Sequence, residues 1–107
     1  MDEELQKRIQ NLQALEQDFQ QIVMQKQTFQ LELNETSTAL EEVGKTKGDV
    51  FRVLGNVMVK ANPTNLKSEL KQKNDLLNSR VKAIEKQELS LRENIERIRN
   101  ELVSKMQ

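Results

Sequence analysis

Histidine, cysteine, tryptophan and tyrosine are all missing from the 107 residues, and the only aromatics are Phe19, Phe29 and Phe51. Without His or Cys, the usual zinc, haem, iron–sulfur and thiol sites have no ligands, and no Ser-His or Cys-His nucleophile can be assembled. The absence of cysteine fits a reducing compartment. Charge of one sign is also lacking: 17 Lys+Arg balance 17 Asp+Glu, which argues against nucleic acid as the main partner. No apolar run approaches the roughly 20 residues of a membrane span. The start, Met1-Asp2-Glu3-Glu4, is acidic where a targeting peptide is basic. These absences lead us to expect a cytoplasmic protein that is not an enzyme and uses no cofactor or metal.

What is present is helix-forming sequence with a heptad pattern. Residues 2–43 contain no Gly or Pro and are dense in Leu, Glu and Gln. Their seam reads Leu5, Ile9, Leu12, Leu15, Phe19, Ile22, Lys26, Phe29, Leu33, Thr36, Leu40 and Val43. The steps alternate three and four from Leu12 onward, with a stammer at Ile9-Leu12-Leu15. Lys26 and Thr36 interrupt the apolar seam and are expected to set its register. The segment after residue 63 repeats the plan with Leu66, Leu70, Lys73, Leu77, Val81, Ile84, Glu88, Leu91, Ile95, Ile98 and Leu102, and a stutter around Leu77. Glu69–Lys73, Glu88–Arg92, Glu93–Arg97 and Glu101–Lys105 have the favourable i,i+4 order for ion pairs on a solvated helix face.

The two segments are each about 63 Å long as helices, at 1.5 Å per residue. Residues 1–43 carry nine acids and three bases, whereas residues 65–107 carry seven acids and ten bases. Opposite net charge favours pairing between the two helices over self-pairing. The expected fold is mainly α: an antiparallel two-helix coiled coil within a single domain, residues 1–107, with helices over 1–43 and 64–107.

The connector, residues 44–63, is longer than a helix–helix turn requires. Gly44 is placed to stop the first helix, with Lys45, Lys47 and Gly48 in a loop, and Asn62-Pro63 is placed to start the second. Between them, Val50-Phe51-Arg52-Val53-Leu54 and Val57-Met58-Val59-Lys60 flank Gly55-Asn56. Two β-branched runs around a Gly-Asn pair predict a β-hairpin over residues 50–60 with a II′ turn. The register would pair Leu54 with Val57, Val53 with Met58 and Arg52 with Val59, leaving both faces apolar. A two-helix stalk cannot cover both faces, and a lone hairpin is marginal in water. We therefore expect Val50, Phe51, Val53, Leu54, Val57, Met58 and Val59 to form an oligomer interface in which hairpins close into a sheet or barrel.

Helix, single hairpin and helix in this order resembles the β class of prefoldin. The resemblance is carried by Gln25-Lys26-Gln27, Leu33-Asn34-Glu35, Ala39-Leu40-Glu41-Glu42 and the string Val50 to Lys60, and spans essentially the whole chain. It implies a hexamer of two α-type and four β-type subunits joined through a double β-barrel. It also implies a chaperone that holds non-native client proteins near its coiled-coil tips and passes them to a group II chaperonin without nucleotide. The short form resembles archaeal members. Phe51 stands where relatives often have Tyr, and the sequence ends at Gln107 with almost no tail.

Helix ends fray, so apolar seam residues there are the least committed to their partners. The candidate client-binding residues are Leu5, Ile9, Leu12 and Leu15 on the first arm, with Ile98, Leu102, Val103 and Met106 on the second. Leu102 and Val103 diverge by about 100° on a helix, more than one seam can bury. A passive scaffold or tether, or an RNA-binding helical arm, are the competing readings. The second helix offers arginines for RNA but no aromatic to stack a base.

Overall fold

The computed structural model describes residues 2–106 and orders the elements as α1 (Glu3–Lys45), β1 (Val50–Leu54), β2 (Val57–Ala61) and α2 (Pro63–Met106). Helix α1 starts on Asp2, whose carboxylate accepts from the Glu4 amide at 3.2 Å. Glu3 and Glu4 add negative charge where the helix dipole favours it. Helix α2 starts as its sequence dictates: Asn62 Oδ1 accepts from the Thr64 and Asn65 amides at 2.9 and 3.1 Å. Pro63 occupies the first helical position, where its missing N–H costs nothing.

Gly44 does not stop α1. The helix runs through it to Lys45, and the end is closed at Thr46, whose amide and hydroxyl both reach the Glu42 carbonyl, at 3.0 and 2.7 Å. Lys45 thus belongs to the last helical turn, where it pairs with Glu41 at 3.0 Å. Gly44 lacks the left-handed backbone of a glycine stop, and a Cβ there would sit in ordinary contact with the Lys67 side chain, 3.7 Å away. Facing α2 there, the helix continues at the modest cost of one interior glycine.

The contacts divide the chain between Thr28 and Phe29 on α1 and between Arg80 and Val81 on α2. In the unit holding the hairpin, Leu77 and Thr36 are buried, with Phe29, Leu33, Leu40, Val43, Leu66 and Leu70 half-buried beside them. The Thr36 hydroxyl is satisfied by the Glu32 carbonyl at 2.8 Å. Ser37 donates to Asn74 Oδ1 at 2.8 Å, and the Arg80 guanidinium lies over the Phe29 ring, 5.6 Å from its centre. In the terminal unit, Val81, Ile84, Ile95 and Leu102 are buried, and Leu12, Leu15, Phe19 and Ile22 are half-buried. There Arg92 covers Phe19, also at 5.6 Å, and Arg99 reaches Glu16 at 3.0 Å. Within each unit the partners run in opposite directions, so the helices pair antiparallel.

Both seams differ from what the apolar residues alone suggested. On α1, Arg8 and Ile9 are both half-buried, so 5, 8, 12, 15 and 19 keep a 3-4 alternation and no stammer is required. On α2, Lys73 is exposed and Asn74 takes the seam position, which moves the four-four step from Leu77 to Leu70. Of the four expected i,i+4 pairs on α2, only Glu88–Arg92 forms, at 3.4 Å. Arg97 donates to Asn94 instead, and Glu69 turns to Arg52. Exposed pairs of this kind are worth a few tenths of a kcal/mol, roughly, so a competing partner easily displaces them.

Candidate functional site: the hairpin and the helix ends

Strands β1 and β2 pair antiparallel with Leu54 opposite Val57, Val53 opposite Met58 and Arg52 opposite Val59. The ladder continues through two further pairs, Phe51–Lys60 and Val50–Ala61, so the hairpin ends one residue beyond the expected 50–60. Gly55 has φ +61° and no described non-glycine residue has positive φ, which fits II′ and excludes I′, where Asn56 would also need it.

Alternation places Val50, Arg52, Leu54, Val57, Val59 and Ala61 on one face, and Phe51, Val53, Met58 and Lys60 on the other. At the root of the first face, Val50, Arg52 and Ala61 are half-buried. The remaining apolar residues are open: Phe51, Val53, Leu54, Val57, Met58 and Val59 are all exposed, with Val53 and Met58 at 66%. Six large exposed hydrophobes on one ten-residue ribbon form a contiguous patch on both sides of it. Scattered single residues need no explanation, but such a patch marks an interaction surface. A groove of about 410 Å³ adjoins it, lined by Val43, Val50, Phe51, Leu66 and Leu70, with Glu42 and Asp49 also at its edge.

The helix-end residues divide. Leu5, Leu12, Leu15 and Ile98 are half-buried in the seam, and Ile9 is half-buried beside it. Leu102 is 5% exposed, so its side chain is spent on helix pairing and offers no free surface. Its neighbour Val103, 100° around the helix, is 54% exposed, and Met106 is 65% exposed. The open apolar area among these candidates is therefore concentrated in Val103 and Met106. A neighbouring groove, lined by Arg8, Glu93, Glu96, Arg97, Asn100, Glu101, Ser104 and Lys105, is charged and contains none of the candidates.

A polar contact deeper in the terminal unit links two residues that the seam pattern singled out separately. Lys26 Nζ lies 2.9 and 3.1 Å from the two carboxylate oxygens of Glu88, with both side chains largely shielded from solvent. Two interruptions of an apolar seam thus meet and neutralise each other. Among the described residues, no group of three or more His, Cys, Asp or Glu converges as a metal site. Among the same residues, no helix is long and apolar enough to cross a membrane.

Comparison with known proteins agrees with this geometry over nearly the full length. The family described as "Prefoldin subunit" matches residues 6–107. The chain is 31% identical to a prefoldin subunit beta of Saccharolobus islandicus, across 95% of this chain and 85% of the relative. It is 36% identical to that of Thermococcus onnurineus, across 90% and 81%. Among solved structures, the prefoldin beta subunit from Thermococcus strain KS-1 superposes with a TM-score of 0.86 at 31% identity, covering 96% of this chain and 92% of that one. The beta2 subunit from the same strain shares the fold, with a TM-score of 0.71 at 16% identity.

Proposed function

Since this chain belongs to the prefoldin subunit family, we propose that it is a subunit of a nucleotide-independent chaperone that captures non-native proteins and delivers them to a group II chaperonin. The observation that carries the assembly half of this reading is the hairpin, apolar on both faces and exposed along most of its length. At roughly 25 cal/mol per Å² of apolar surface buried, covering those six side chains is a strong drive to associate. The occupants we propose are the hairpins of other prefoldin chains, closing into barrels with two α-type and four β-type subunits. Such closure also removes the strand edges that a two-stranded ribbon leaves unpaired.

Client holding is assigned to the helix ends, with Val103 and Met106 as the leading contacts and Leu5, Ile9, Leu12, Leu15 and Ile98 reached only where the helix pair frays. Methionine is flexible and polarisable, which suits contact with many unrelated sequences. The carboxyl end of α2 and the hairpin thus have separate tasks, and the test separates them. The chain is co-expressed with an α-type prefoldin subunit, and the complex is assayed for subunit count by sedimentation and for suppression of aggregation of a chemically unfolded client without nucleotide. Val57→Asp is expected to release subunits with helical content retained, because an unpaired charge in an apolar layer costs several kcal/mol, roughly. Val103→Ser with Met106→Ser is expected to preserve subunit count and reduce client protection. A wild-type complex that assembles yet protects no client would make the chain a passive tether.

A further inference from the structure

The hairpin carries two cations, and both find their counter-charge within the same chain. Arg52 lies on the face with Leu54, Val57 and Val59, and its guanidinium pairs with the carboxylate of Glu69 on α2. Lys60 lies on the opposite face, across from Phe51, and its Nζ is 3.4 Å from Asp49 Oδ1. Asp49 lies just before β1, two residues ahead of Phe51, so this pair sits at the root of the hairpin. Arg52 keeps 41% of its side chain exposed and Glu69 57%, while Lys60 and Asp49 are more open at 68% and 64%. As surface ion pairs they add little to the stability of the chain by itself.

Burial reverses that weighting. Resting on the reading that prefoldin hairpins pack on one another, we propose that Glu69 is a specificity-determining residue of the assembly interface, an acid held on α2 to neutralise Arg52 when the hairpin face is covered. Arg52 stands in the middle of β1, flanked by Val50 and Leu54, so covering that face desolvates the guanidinium with them. An uncompensated buried cation is strongly unfavourable, whereas a paired one is tolerated. Because the counter-charge is supplied in cis, the incoming hairpin needs no acid at that position and fits with an apolar face. Asp49 does the same for Lys60 at the root of the other face. The ribbon as a whole is then neutral to an approaching partner.

The test uses the full chain co-expressed with an α-type prefoldin subunit, followed by sedimentation of the complex over a dilution series. Glu69→Gln is expected to raise the concentration at which the complex dissociates by about 30-fold or more, as removal of one partner of a desolvated charge pair does. The helical content and melting of the chain are expected to be unchanged. Arg52→Leu combined with Glu69→Gln removes the cation that required compensation, and is expected to restore assembly. Val53→Asp serves as the control for the underlying reading. If Val53→Asp dissociates the complex while Glu69→Gln assembles like the wild type, the role assigned to Glu69 is overturned and hairpin packing stands. If Val53→Asp also assembles like the wild type, hairpin packing itself is wrong. A double variant no better than Glu69→Gln alone likewise overturns the counter-charge role.

Discussion

Two glycines of this chain answer to opposite physics. Gly55 holds φ +61° in the hairpin turn, with nothing within 4 Å of where a Cβ would stand. A side chain there meets no clash, only the strain of a left-handed backbone, which costs about 1–2 kcal/mol for an L-residue. Gly44 sits in a helix, with room for a methyl group against Lys67. There an alanine restricts the unfolded chain and favours the helix by about 0.5–1 kcal/mol. Gly55→Ala is therefore expected to lower the melting temperature and Gly44→Ala to raise it. Thermal unfolding by circular dichroism at matched concentration checks both. Equal and negative shifts would show that Gly44 marks a required break in α1.

At the scale of the helices, pairing register is held by polar residues as well as by packing. Lys26 and Glu88 lie in the seam, and Arg92 also approaches Glu88 at 3.4 Å. Lys26→Met leaves the shielded Glu88 carboxylate with only the longer Arg92 contact, and is expected to destabilise the helix pair by about 1–3 kcal/mol. Replacing both residues by Met should recover most of that loss, since apolar pairs of similar volume substitute well for buried ion pairs. The recovered chain is expected to lose uniqueness of pairing, visible as additional oligomers in sedimentation. Much of this level was legible in the sequence. The seam was readable because apolar spacing is a local signal, and the hairpin because Gly55-Asn56 between β-branched runs permits few alternatives. Arg8 and Asn74 were not readable as seam residues, since polar side chains leave no mark in an apolar pattern. The arginines over Phe19 and Phe29, and Glu69 beside Arg52, depend on which residues face one another once the chain has folded. The burial of Leu102 beside an open Val103 was readable only as a divergence, because spacing cannot say which of two adjacent apolar residues faces in.

For the whole molecule, the proposed function puts assembly and client contact on different stretches of chain, so each is expected to be alterable with the other left intact. The antiparallel arrangement about one central hairpin also sets a graded separation between residues that must meet. Arg52 and Glu69 are 17 residues apart, Ser37 and Asn74 are 37, Lys26 and Glu88 are 62, and Glu16 and Arg99 are 83. Closing the longest of these loops first would be entropically the least favourable choice, since each doubling of length adds about 0.6 kcal/mol. Once the hairpin is closed, each further layer needs only a short additional segment to order. The chain is therefore expected to fold as a zipper, nucleating beside the hairpin and advancing toward both termini. Leu77→Ala, near the start of that path, should slow refolding; Leu102→Ala, near its end, should speed unfolding and leave refolding unchanged. Stopped-flow kinetics on dilute monomer would separate the two, and the reverse pattern would mean that the termini pair first. On a ribosome the order has a sharper meaning. Helix α1 emerges with no partner and waits through the synthesis of the hairpin and most of α2, its last-pairing residues exposed the longest. On the function proposed above, a chain that shelters unfolded proteins spends its own synthesis as one.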